Sequence, residues 1–308
     1  MDVSNLSTPS QADSHRVDAF RDLATKRYLV IGAGVSGRAA ASALVGLGAA
    51  VSVIDGKAEQ LDLLDAGITP LLANDHEAMA QALAATTPDV GVASPGFAPH
   101  HRVLSEAAAR SVPIWSEVEL AWRIAPPGIV WIGLTGTNGK TTTVGMVSTI
   151  LTGAGMVAPA VGNIGDPVTT TVLNAREGAT SLDALALELS SFQLHFTSSM
   201  TLTAAACLNV ADDHLDWHGS RAEYEAAKGR IYRGVSDRAV YNAQDDTTRR
   251  LATTAPRGPH ASLQGFTLGH PRSGESGVIG RELVEMSGED GLTLASLDDL
   301  AGGRGDLR

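Results

Sequence analysis

The stretch Ile129-Val130-Trp131-Ile132-Gly133-Leu134-Thr135-Gly136-Thr137-Asn138-Gly139-Lys140-Thr141-Thr142 decides the architecture of this chain. Its opening is a short apolar run with β-branched residues, as in a strand buried on both faces of a parallel sheet. A loop of glycine and threonine follows, and the residues after Lys140 favour a helix. Strand, glycine loop and helix in that order make a phosphate cradle. Backbone N–H groups meet the oxygens, Lys140 supplies a cation, and the Thr141 hydroxyl faces Mg²⁺. A strict P-loop has glycine where Leu134 stands. That departure removes one flexible point and leaves Gly136, Thr137, Asn138, Gly139, Lys140, Thr141 and Thr142 able to wrap phosphates.

Working toward the N-terminus, Pro126-Pro127-Gly128 breaks the pattern and reads as a linker. Before it, Tyr28-Leu29-Val30-Ile31 is a second buried strand, followed by Gly32-Ala33-Gly34-Val35-Ser36-Gly37 and an Ala-rich helix over 38–46. A strand at 50–54 then ends in Asp55. This is the G-x-G-x-x-G context in which a helix N-terminus faces a diphosphate and the acidic residue takes a ribose hydroxyl. It implies a nucleotide and leaves the base unnamed; Lys57 reads equally as a further phosphate or ribose contact and as an exposed surface lysine. Helices near 59–66 and 76–85, an apolar run at 68–72 and a strand at 90–93 continue the alternation. The chain is therefore α/β: a solvated tail over 1–26, a Rossmann-like parallel-sheet domain over 27–125, and a P-loop α/β domain over 126–308.

Working toward the C-terminus, strands are expected at 184–189 and 204–210, with a helix over 222–232. The short runs Gly277-Val278-Ile279 and Leu292-Thr293-Leu294 read as hairpin strands. Glu188 lies within an apolar strand end, where a carboxylate is costly to bury unless it meets a cation. In Asn209-Val210-Ala211-Asp212-Asp213-His214-Leu215-Asp216-Trp217-His218, His214 is a candidate metal ligand with Asp213 and Asp216 beside it. The spacing of His214 and His218 lacks the cysteine partners of a zinc site. On its own, Lys228 reads as an exposed lysine of an amphipathic helix.

Composition narrows the function classes. The chain has 308 residues, 44% of them hydrophobic, and a net charge of −11 that disfavours a broad nucleic-acid footprint. One cysteine, Cys207, excludes an internal disulfide and suits a reducing compartment. No apolar run reaches the ~20 residues of a membrane-spanning helix, so neither membrane insertion nor export is expected.

Taken together, the P-loop, Gly162-Asn163-Ile164-Gly165, Leu187-Glu188-Leu189-Ser190-Ser191-Phe192-Gln193-Leu194, Asp213-His214-Leu215-Asp216 and Tyr224…Lys228…Ile231-Tyr232 resemble the ATP-dependent Mur ligases of peptidoglycan synthesis. The Glu-Leu-Ser-Ser-Phe-Gln-Leu stretch and the Rossmann-like start resemble members that add D-glutamate to UDP-N-acetylmuramoyl-L-alanine through an acyl phosphate. The resemblance implies a cytoplasmic, monomeric enzyme serving cell-wall precursor synthesis, and hence cell shape and division. It implies ATP and two Mg²⁺ ions as cofactors, with Lys140, Glu188, His214 and Lys228 catalytic. Thr141, Glu188, His214 and a Lys228 carbamylated by CO₂ would be the metal ligands. Val35, Ser36, Asp55, Lys57 and Ser94 would hold the uridine diphosphate. Asn163, Ser190, Gln193 and His214 would hold the muramoyl-alanine part. It further implies a third, C-terminal domain that carries the D-glutamate site, before which this sequence stops. The alternatives are another Mur-type ligase and a nucleotide-binding fragment without turnover. A folylpolyglutamate synthase would lack the first glycine-loop domain.

Overall fold

The computed structural model describes residues 22–300. The first domain is built as the alternating pattern requires: β1 (Arg27–Ile31), α1 (Val35–Gly46), β2 (Ala50–Asp55), α2 (Ala58–Leu61), β3 (Ile68–Leu72), α3 (His76–Thr86), β4 (Val90–Ala93), α4 (Arg102–Ala109), β5 (Ile114–Trp115) and α5 (Glu117–Ile124). Its five strands are parallel in the order β3-β2-β1-β4-β5. The order reverses between β1 and β4, so the loops after these two strands border the crevice where such sheets bind ligands. Most of the expected tail lies outside the described residues. Residues 22–26, however, pack on the domain: Leu23 is buried and its carbonyl accepts from the Tyr28 hydroxyl. A single leucine in a polar stretch carries no period, which is why the sequence suggested a solvated segment there.

The second sheet is assembled from β6 (Val130–Thr135), α6 (Lys140–Gly153), β7 (Ala160–Gly162), α7 (Val168–Arg176), β8 (Ala184–Glu188), α8 (Ser191–His195), β9 (Ala204–Cys207), α9 (Leu215–His218), α10 (Arg221–Gly229), β10 (Arg238–Asn242), α11 (Asp246–Thr254), β11 (Ser262–Phe266), β12 (Glu275–Ile279), β13 (Glu282–Ser287) and β14 (Asp290–Ser296). Its order is β14-β13-β12-β11-β10-β9-β6-β8-β7, with β6 between β8 and β9. The loops after β6, β8 and β9 therefore meet at one edge. The expected strand at 204–210 stops at Cys207 because the next residues leave the sheet to bond the glycine loop. Asn209 O accepts from Thr137 N, and Asn209 Oδ1 accepts from Asn138 N at 2.8 Å. The runs at 277–279 and 292–294 are not each other's partners; both pair antiparallel with β13, which lies between them. The helix expected over 59–66 shortens to α2.

One apolar cluster runs through both sheets, joining Val30 and Val53 to Trp131, Leu185 and Val235 by way of Val118, Leu120 and Ile124 of α5. Pro126-Pro127-Gly128 follows this helix, and Trp122 of α5 meets Trp131 of β6 edge-on, ring centroids 5.1 Å apart. Two buried carboxylates fix α5 to the second domain, one to α7 and one to the segment between α8 and β9. Glu117 accepts from Thr169 N and Oγ1 at 2.6 and 2.7 Å. Glu119 accepts from the backbone N–H groups of Ser198, Ser199 and Met200, from both serine hydroxyls, and from Arg123.

Candidate active site

The glycine loop after β6 and the start of α6 form the floor of a cleft. A cavity of about 100 Å³ there is lined by Gly136, Lys140, Asn163, Ser190, Ser191, Phe192, Asp213, His214, Tyr224 and Lys228. Lys140 Nζ donates to the carbonyls of Gly136 and Thr137 at 2.9 and 3.0 Å. Lys228, which is 2% exposed, donates to the same Gly136 carbonyl at 2.9 Å. Two ammonium groups on one acceptor make a strongly electropositive floor. Burial lowers the Lys228 pKa to about 8; Cys207 opposes the shift, and the neighbouring Lys140 charge adds to it. Its nitrogen lies 4.7 Å from the Tyr224 ring centre, and the Tyr224 hydroxyl is 3.0 Å from Thr137 Oγ1. The exposed lysine that the helix pattern alone suggested is thus a wall of the cleft.

Glu188 ends β8 buried but not unpaired. Its carboxylate accepts from Thr141 Oγ1 at 2.7 Å and from Asn163 Nδ2 at 3.0 Å. Gly162 lets the Asn163 loop approach this closely: a Cβ there would lie 2.3 Å from Glu188 O, and φ is +114°. The Glu188 carboxylate and Thr141 hydroxyl are hard oxygen donors beside a phosphate cradle. They fit Mg²⁺, which binds through one or two such groups and takes its other ligands from phosphate and water. Among the described residues no group of three His, Cys, Asp or Glu side chains is gathered for a metal. His214 and Lys228 share the cavity wall without forming a ligand set by themselves. His214 adopts the left-handed backbone region at φ 51°, ψ 32°, a conformation that a non-glycine residue holds only where its surroundings enforce it. Its ring lies 4.8 Å from Phe192 and its Nε2 is 3.4 Å from an Asp213 oxygen.

Ser190 and Gln193 have a structural duty. They form a reciprocal capping box at the start of α8: Ser190 Oγ accepts from Gln193 N, and Gln193 Oε1 from Ser190 N. Ser190 still lines the cavity, whereas Gln193 is buried behind it. The S-x-x-Q spacing was the available signal for this cap. Tyr224, Asn209 and Ser191 were not singled out from sequence as site residues. Nothing in a lone tyrosine, asparagine or serine marks it as such before the loops are brought together.

In the first domain the structure gathers the other expected residues at the switch point. Gly37 sits so close to the loop that a Cβ would lie 1.9 Å from Gly32 O. Ser94 Oγ donates to that same carbonyl at 3.2 Å. Asp55 braces the loop, accepting from Ala33 N at 2.7 Å and Lys57 N at 2.9 Å, with lone pairs left for a ribose hydroxyl. Val35 and Ser36 open α1 at the surface, and Lys57 is exposed.

Residues 134–267 match the Mur ligase middle domain, and residues 17–94 match the C-terminal domain of the alanine dehydrogenase/PNT family. The chain is 44% identical over 272 residues to the UDP-N-acetylmuramoylalanine–D-glutamate ligase of Streptomyces avermitilis, an alignment covering 85% of this chain and 56% of that protein. With the ligase of the same description from Thermobifida fusca it shares 42% over 266 residues, 86% of this chain and 56% of the relative. It therefore spans about half the length of these relatives. The crystal structure of a UDP-N-acetylmuramate:L-alanyl-gamma-D-glutamyl-meso-diaminopimelate ligase from Neisseria meningitides superposes with a TM-score of 0.50 at 19% identity, over 84% of this chain and 83% of that one, a likeness of fold. Over the portion of those relatives that it spans, the chain belongs to the Mur ligase family.

Proposed function

We propose that this chain carries the sugar-nucleotide and ATP sites of a cytoplasmic ligase that joins D-glutamate to UDP-N-acetylmuramoyl-L-alanine. The observation that carries this is the convergence of a phosphate cradle, two lysine amines on one carbonyl, a buried Glu188–Thr141 pair and His214 around a single cavity. The first domain would hold the uridine diphosphate against the Gly32 loop, with Val35, Ser36, Asp55, Lys57 and Ser94 around it. Asn163, Ser190 and His214 would orient the alanine carboxylate toward the γ-phosphate of ATP. A carboxylate oxygen attacks phosphorus and ADP leaves; the amine of D-glutamate then attacks the acyl carbon and phosphate leaves. No residue described here is assigned to D-glutamate.

Gly136 to Thr142 would hold the phosphates, and Lys140, released from its loop carbonyls, would turn to the transferred phosphoryl group. Mg²⁺ held by Glu188 and Thr141 would neutralise charge on the β- and γ-phosphates. Lys228 would bind CO₂ as a carbamate, since its depressed pKa leaves a substantial neutral fraction near pH 8. The carbamate would serve with His214 at a second Mg²⁺.

The dehydrogenase-domain match over 17–94 makes NAD⁺ the competing ligand for the first domain. Calorimetry with UDP-N-acetylmuramoyl-L-alanine and with NAD⁺ separates the two. Tighter binding of NAD⁺ would overturn the proposal.

A further inference from the structure

We infer that His218 is a positioning residue that turns the Ser191 hydroxyl proton into the cleft, where it donates to an anionic oxygen of the bound ligand. This rests on the reading of the cavity around Gly136 as the place where phosphate or carboxylate is held. His218 ends α9 and is only 7% exposed. Its ring is packed among Phe192, His195, Trp217 and Tyr224, with centroids 5.7, 6.2, 4.5 and 5.2 Å away. Its Nε2 lies 2.9 Å from Ser191 Oγ. Its Nδ1 is sealed from solvent and has no hydrogen-bond partner among the described residues. Ser191 is itself buried, yet lines the cavity.

A second proton, on the sealed and unpartnered Nδ1, would leave a buried charge with no acceptor, so the ring is neutral. One proton must therefore be placed on one of two nitrogens. On Nδ1 it would be a buried N–H with no acceptor, the kind of orphan that folded proteins avoid most strictly. Ser191 would then have to donate to Nε2, leaving only its oxygen lone pairs toward the ligand. On Nε2 the proton is donated to Ser191 Oγ, and Nδ1 is left as a bare lone pair, the more tolerated defect. Ser191 then has its own proton free, and no other hydrogen bond within the described residues claims it. The cavity floor carries the Lys140 amine beside the Gly136 loop, a cradle for an anionic oxygen of phosphate or carboxylate. A hydroxyl that donates suits that oxygen; one that only accepts does not.

The tautomer is read directly by ¹⁵N NMR of the histidine rings in the ligand-free chain, with His218→Gln to assign the signal. A protonated Nε2 is expected; a protonated Nδ1, or a doubly protonated ring, overturns the inference. Calorimetry supplies the functional arm, with UDP-N-acetylmuramoyl-L-alanine and with Mg²⁺·ADP as separate probes, one for the carboxylate and one for the phosphate. Ser191→Ala and His218→Phe should each weaken the same one of the two by roughly tenfold. His218→Gln, whose amide keeps a donor, should stay within about twofold. If Ser191→Ala weakens neither probe while the wild type binds both, or if His218→Phe binds like the wild type, His218 has no positioning role. If the wild type itself binds neither probe, the proposed function fails instead, and the tautomer still decides the ring's state.

Discussion

At the scale of single residues, Gly136 O is the pivot, accepting from both Lys140 and Lys228. Lys140 was legible in sequence, because the spacing of a phosphate loop fixes its role before any fold is known. Lys228 was legible only through resemblance, since an amphipathic helix has the same pattern whether its lysine meets water or a neighbouring loop. The structure buries it and lowers its pKa to about 8. A carbamate needs the neutral amine, so occupancy should rise with pH through about 8, as measured by ¹³C NMR under labelled CO₂. A carbonyl signal that appears in the wild type and is lost in Lys228→Ala is expected; its absence at pH 9 would contradict the assignment. Lys228→Glu should keep part of the metal affinity that Lys228→Ala loses, because only glutamate restores a carboxylate.

At the scale of elements, α5 carries the coupling between the two sheets, and little in the sequence announced it. The alternation up to β4 followed from buried strands and glycine loops, whereas residues 97–125 gave no assigned element. A helix of eight residues with buried glutamates does not stand out by its apolar period. Glu119 is fully buried with several donors trained on it, so Glu119→Ala strands those donors and should cost about 3 kcal/mol in urea unfolding. Glu117 behaves differently. Burial raises its pKa above the usual carboxylate value near 4.5, with the Thr169 and Val168 hydrogen bonds opposing. The folded chain therefore holds this proton to higher pH than the unfolded chain, and its contribution to stability is lost as pH rises through the folded pKa. Glu117→Gln keeps an acceptor and removes the titration. Its stability should fall less than the wild type's as pH is raised from 4.5, and a steeper fall would contradict the burial account.

At the scale of the whole molecule, a parallel sheet and a mixed sheet each place a glycine loop at the end of an inner parallel strand, and one apolar cluster joins them. The two-sheet plan was legible because both loops sit between a buried strand and a helix. The course of residues 238–296 was not. There the strands are short and half-exposed, so β10, β11 and β13 showed no period that separates them from loop. Among the described residues no helix is long and apolar enough to cross a membrane. The central claim is that the two glycine loops are separate nucleotide sites and that the cleft around Gly136 is the ATP phosphate site. Calorimetric titration of Lys140→Ala with a non-hydrolysable Mg²⁺·ATP analogue, beside UDP-N-acetylmuramoyl-L-alanine, tests it most directly. Loss of one charge-assisted contact should weaken the ATP analogue by roughly ten- to a hundredfold and leave the uridine ligand within about twofold of wild type. Unchanged affinity for the ATP analogue, or an equal loss for both ligands, would contradict it.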